Sequence, residues 1–169
     1  EEEGAHKLLS EQLSKQSDIE LRRDINTIGH VVVTAFVIDK DNKRILVLDD
    51  SKDHFFQLKT HLINTDKNLF DAALRCLGSE AGIDAVEVKY RPAVPGRDDV
   101  PFDIDTHVSV DKEKSDHTHH SFGYLFLAND SLVATIDSAR PGTYRWISWK
   151  EFSSQSYFKK VARKIEELT

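Results

Sequence analysis

The segment Asn68–Ala81, NLFDAALRCLGSEA, constrains the fold more than any other part of the chain. Leu69, Phe70, Ala73, Leu74, Leu77 and Ala81 recur at helical spacing, so one stripe of this helix must be covered. Asp66 or Asn68 can cap its start, and Gly82 suits a left-handed stop at its end. Upstream, His30–Asp39 (HVVVTAFVID) and Arg44–Asp49 (RILVLD) are rich in β-branched residues. The turn Asp41-Asn42-Lys43 makes them a hairpin, and Phe55–Leu58 is a short extended piece leading toward the helix. A helix with one apolar stripe, placed just after a hairpin, calls for a sheet to lie on.

The second half is strand-rich, with segments at 86–94, 102–110, 119–128 and 143–149. Pro92, Pro95, Gly96 and Pro101 punctuate the connection before Phe102. Lys150–Leu168 reads as one closing amphipathic helix built on Phe152, Tyr157, Phe158, Val161 and Ile165. Residues 1–29 carry a helical pattern in Ala5-Leu8-Leu9-Leu13 and a second in Ile19-Leu21-Ile25, read as a helical extension against a partly disordered tail as the alternative. Helix, strands, helix, strands, helix is the order of an α/β/α sandwich around a mixed sheet. The expected units are an N-terminal helical extension, 1–29, and a main domain, 30–169.

Composition narrows the partners. The chain has 169 residues, a formal charge of −6 and 31% charged residues, which fits a soluble domain and opposes broad nucleic-acid binding. No apolar run approaches the ~18 residues that would suggest a membrane helix. One cysteine cannot close an internal disulfide, and no signal-peptide pattern opens the chain, so a cytoplasmic location is expected. The absence of any Met, an initiator included, is what a trimmed or processed chain would show.

Counting back from Gly82-Ile83, residues 60–83 follow a recognisable spacing: Arg75, Leu77, Glu80, Gly82 and Ile83 stand where a Nudix box has Arg, an apolar residue, its last Glu, Gly and an apolar residue. The chain thus resembles the Nudix hydrolase superfamily. Cys76 and Ser79 stand where that box has glutamates, and Lys67 stands at its upstream glutamate. His61, or Thr60 by the spacing of one bacterial subgroup, takes the box glycine, and Leu58-Lys59-Thr60-His61 replaces the family's Pro-Gly-Gly loop. The resemblance continues in Ile28-Gly29-His30-Val31, Thr34-Ala35-Phe36-Val37, Phe55-Phe56-Gln57, Pro101–His107, His117-Thr118-His119 and Tyr124-Leu125-Phe126. It covers residues 24–150 and implies a Nudix-like α/β/α fold.

On a helical wheel, positions 76, 79 and 80 share one flank beside the buried stripe. The resemblance implies that this flank carries carboxylates that hold magnesium or manganese during hydrolysis of nucleoside diphosphates linked to another group. Here only Glu80 remains. Glu80 and Arg75 are therefore the candidate catalytic residues, Glu80 the candidate metal ligand, and magnesium or manganese the cofactor if the chain is active, with none otherwise. An ion pair of Arg75 with Asp71 is the structural alternative for the arginine. Cys76 is read as a half-buried filler rather than a nucleophile.

Asp103, Asp105 and His107 alternate along one strand, and His117, His119 and Ser121 along the next. If Asp111–Asp116 is a hairpin loop, His107 falls near His119 and Asp105 near Ser121. His107, His117, His119 and Asp105 are the candidate ligand-binding residues, for a transition metal or a ligand phosphate, against a hydrogen-bonded polar sheet face. Asp49, Asp50, Asp53 and His54 read as a solvated turn, and Trp146 and Trp149 as packing. Two functions follow from the resemblance. One is binding of a nucleotide or diphosphate ligand with weak or lost hydrolysis. The other is an active metal-dependent pyrophosphohydrolase in which Glu80 works with Asp or His ligands from 103–119. Neither involves a nucleic acid or a membrane, and the family's habit of pairing leaves a homodimer open.

Overall fold

A computed structural model describes residues 2–15, 21–22, 29–41, 43–50, 54–109, 117–138 and 144–169. The long strand β1 (Gly29–Asp39) is its spine, buried along its whole length. β7 (His117–Ala128) runs parallel to it, with His30 opposite His119 and Ala35 opposite Tyr124. The other edge of β1 is shared between β4 (Leu58–His61) and β2 (Arg44–Asp50), both antiparallel. β2 also pairs with β3 (His54–Phe56) and β8 (Tyr144–Ser148). The far edge of β7 carries β5 (Val88–Arg91) and β6 (Asp103–Ser109). Among the described residues, eight strands thus form one mixed sheet.

Alternation along β1 divides its side chains between two cores. Val31, Val33, Ala35 and Val37 join Leu46, Leu58, Tyr124 and Phe126 on one face, covered by α2 (Leu69–Ala81) and α3 (Asp130–Ser138). Phe36 and Ile38 join Ile45, Val47, Leu125 and Ile147 on the other, covered by α4 (Trp149–Ser154) and α5 (Lys159–Leu168). This is the expected α/β/α sandwich. Helix α1 (Glu2–Leu13) lies against β6, and Gln12 donates from Nε2 to the Gly29 carbonyl at 2.8 Å. The second N-terminal pattern, over 19–25, lies outside the described residues apart from Leu21 and Arg22.

Helix α2 begins where its capping chemistry dictates. Asn68 Oδ1 accepts from the Asp71 amide at 2.8 Å, and Gly82 ends the helix at φ 65°. Asp66, the other candidate cap, serves elsewhere, as described below. Several expectations are corrected. Leu58–His61 is not a loop but strand β4, because Leu58 is fully buried and the segment pairs with Val32–Ala35 of β1. Residues 86–94 yield only β5, since the Asp84 capping box starts a short 3-10 turn at Ala85–Glu87. Helix α3, unforeseen in the sequence, starts where Asn129 Oδ1 takes the Leu132 amide at 2.8 Å. The closing helix is two helices, broken around Gln155–Phe158 so that Phe152 and Phe158 stack 4.6 Å apart in the core.

Candidate functional site

The box segment is built around Arg75. Its Nε donates to Asp66 Oδ1 at 2.8 Å and its Nη2 to Asp66 Oδ2 at 2.9 Å, a two-pronged pair. Nη1 reaches Thr60 Oγ1 at 3.0 Å and Nη2 the His61 carbonyl at 2.7 Å. Arg75 thus fastens β4 and the following loop to its own helix, and its partner is Asp66 rather than Asp71. The Asp66 carboxylate also accepts the Ile63 amide at 2.9 Å, while Arg22 donates to the Ile63 and Asp66 carbonyls. Burial alone would raise the pKa of Asp66. The hydrogen bonds from Arg75 and Ile63 and the charges of Arg75 and Arg22 outweigh it and hold the carboxyl below its usual range.

The flank that should hold a metal is poorly equipped. Cys76 is fully buried rather than half-buried, and burial with the nearby Glu80 charge pushes its thiol up to about 12. It is no thiolate and no nucleophile in neutral solution. Ser79 and Glu80 are exposed, with Ser79 Oγ 3.4 Å from Glu80 Oε1. A magnesium ion asks for hard oxygen ligands and is typically held by one or two carboxylates with substrate phosphates. One solvated carboxylate, a neutral hydroxyl and a buried thiol do not fit the magnesium site that the resemblance implies.

The histidines form a separate centre on the other side of the sheet. β6 lies antiparallel to β7 with His107 opposite His119 and Asp105 opposite Ser121, the register expected from the sequence. The 111–116 connection itself lies outside the described residues. Parallel pairing of β1 then adds His30 beside His119, and β4 adds His61 opposite Val32. Neither His30 nor His61 is among the candidate ligand residues, because the parallel β1–β7 register that brings His30 and the β1–β4 pairing that brings His61 leave no local signal. The His30 ring lies 4.9 Å from that of His61, 5.1 Å from His117 and 4.9 Å from His119. His107 sits 5.5 Å from His119 and is held by Asp105, whose Oδ2 is 3.0 Å from His107 Nδ1. That hydrogen bond, outweighing burial and helped by Lys160, keeps Asp105 below the ordinary carboxylate range. Burial, reinforced by His30, His117, His107 and Lys59, pulls His119 down to about 3, so its imidazole is neutral at neutral pH.

Face assignment separates the two centres. Val31, Val33 and Ala35 point toward α2, whereas His30, Val32 and Thr34 alternate with them and point toward α5. Tyr157, just ahead of α5, stands 6.5 Å from His107, and Lys164 of α5 donates to Asp103 at 2.7 Å. The remaining sequence candidates are structural or undescribed. Trp149 packs against the α4–α5 core, Trp146 against the opposite one, and Asp53 lies outside the described residues.

No family model and no curated protein matches the chain. Solved structures do. The C. elegans Ap4A hydrolase in a binary complex aligns at 14% identity over 81% of this chain and 95% of that one, with a TM-score of 0.52. A Nudix family hydrolase from Clostridium perfringens aligns at 15% identity over 83% and 98%, also at 0.52. The E. coli dihydroneopterin triphosphate pyrophosphohydrolase aligns at 13% identity over 81% and 92%, at 0.50. A mixed sheet between helices, with a Gly-stopped helix leaning on its spine strand, defines the architectural class. Within that class, the chain has the Nudix fold.

Proposed function

We propose that this protein binds a nucleotide or another diphosphate compound and has weak or lost magnesium-dependent hydrolase activity. The observation that carries this reading is the flank of α2, where Glu80 is the one carboxylate among positions 76, 79 and 80 and Cys76 is sealed in the core. Hydrolysis of a phosphoanhydride gathers negative charge around the attacked phosphorus, and divalent ions neutralise it. Each 1.36 kcal/mol of lost transition-state stabilisation costs about tenfold in rate. The lack of two metal-holding carboxylates on this flank therefore suppresses turnover by several orders of magnitude. Support for the ligand class comes from the fold, which is shared with proteins named as hydrolases of Ap4A and of dihydroneopterin triphosphate. Glu80 sharing an ion with the Asp and His residues of 103–119 is disfavoured, because the sheet stands between them.

Calorimetric titration with ADP-ribose, a dinucleoside polyphosphate and a nucleoside triphosphate tests the binding half. Incubation of the same compounds with magnesium or manganese tests the chemistry. Saturable binding is expected, with turnover indistinguishable between the native chain and Glu80→Gln. Robust turnover that Glu80→Gln abolishes would overturn the reading.

A further inference from the structure

Five of the eight histidines, His30, His61, His107, His117 and His119, converge on the sheet face that the box helix does not cover. We propose that His30, His117 and His119 form a binding site for zinc or a similar first-row divalent ion, independent of the box. One ring nitrogen from each of the three residues lies within 4.8 Å of the others. The Nε2 atoms of His117 and His119 are 2.9 Å apart. Nitrogens bound tetrahedrally to zinc at about 2.0–2.1 Å stand roughly 3.3 Å apart, so the cluster brackets the required spacing and small ring rotations complete it.

The chemistry selects the ion. Imidazole nitrogens suit zinc, copper, nickel and iron, whereas magnesium and calcium require oxygen ligands. His30 is 0% and His119 5% exposed, so water competes little at the inner side of the site. Each neutral imidazole brings one lone pair and one N–H, and a divalent ion takes up several lone pairs at once. An anion would gain only one N–H donor from each neutral ring, and its charge would be balanced only by protonating several rings that stand close together.

The surroundings resemble the support that metal-binding histidines usually have. Asp105 holds Nδ1 of His107, the carboxylate–imidazole arrangement that fixes the orientation of a ligating ring. His107 stands 5.5 Å from His119 by ring centres and is placed to serve as a fourth ligand or as an outer neighbour. His61 completes the ring of imidazoles on β4, 5.5 Å from His119. The three primary ligands come from the two central parallel strands, a rigid frame for a metal site. The box helix contributes nothing, so this inference does not rest on the proposed nucleotide binding.

The test uses the full chain, stripped with a chelator and without nucleotide. Titration with zinc by calorimetry should show one saturable site, and cobalt(II) should give the intense visible spectrum of a tetrahedral nitrogen site. His117→Gln and His119→Gln should each weaken zinc binding by more than about 100-fold, beyond what loss of an outer-shell partner costs. Asp105→Asn should weaken it by about 10-fold or more. His120→Gln, on the opposite face where His120 meets Thr106 and Gln12, should leave zinc affinity unchanged. Circular dichroism on each variant guards against misfolding, and the cobalt spectrum of the native chain stands without any variant. Absence of saturable zinc binding, or zinc affinity in His117→Gln and His119→Gln equal to that of the native chain, would overturn the proposal. So would binding of inorganic phosphate, without metal, that His119→Gln abolishes.

Discussion

Arg75 turns all three guanidinium nitrogens back on the segment preceding its own helix, and Asp66 is the counterpart that makes this geometry favourable. The carboxylate is almost wholly covered, its side chain 4% exposed, so losing Arg75 leaves a charge with little access to water. Charge-assisted hydrogen bonds of this kind contribute about 2 kcal/mol, and Arg75→Ala or Asp66→Asn should destabilise the protein by that order. The pH dependence follows from the sign of the shift. Asp66 has a lower pKa folded than its ordinary 3.8, so the unfolded chain binds the proton more readily. Its stabilisation is fully present above the ordinary carboxylate value and is lost as pH falls through the folded one. Denaturant titrations at pH 6 and near pH 3 should show the gap between the native chain and Asp66→Asn closing at the acid end. A gap that stays constant would mean that Asp66 acts by shape alone.

Helix α2 carries a sealed position and a wet one side by side, and they respond unequally to the same substitution. Cys76→Glu places a charge at a fully buried position facing Ala35 and should cost about 3 kcal/mol or more. Ser79→Glu adds the same group at an exposed position and should change stability by no more than about 0.5 kcal/mol. Thermal or denaturant unfolding of the two variants measures the difference directly. The contrast also shows what the sequence could reveal. The stripe of α2, its Asn68 start and its Gly82 stop were legible because they are set by residues within a few positions of each other. The break between α4 and α5 was not, because Tyr157 and Phe158 continue the apolar pattern and only packing of Phe158 against Phe152 and Phe55 turns the chain. Strand β4 was missed for the same reason, since pairing with β1 decides it rather than the composition of Leu58–His61. At the histidine centre the β6–β7 register was legible from two alternating strands, whereas His30 and His61 arrive through long-range pairing that no window of sequence contains.

The whole molecule is organised as two chemically different surfaces back to back on one sheet. The α2 face carries Arg75, Cys76 and Glu80; the α5 face carries His30, His61, His107, His117 and His119 with Asp105 and Lys164. Strand β4 belongs to both, giving Thr60 and the His61 carbonyl to Arg75 while presenting the His61 ring to the other side. If Glu80 and the histidines served one ion, substitutions at the two places would be strongly coupled, since ligands of a single site act as a unit. Two sites separated by a buried sheet should behave independently, because effects at positions more than about 7–10 Å apart with no shared partner add within about 0.5 kcal/mol. A double-mutant cycle on Glu80→Gln and His119→Gln, read by denaturant unfolding with zinc present and again with it removed, distinguishes the cases. The expected interaction energy is below about 0.5 kcal/mol in both conditions. A coupling above about 1 kcal/mol that appears only with zinc would mean one shared centre, and the separation of the two faces would then have to be abandoned.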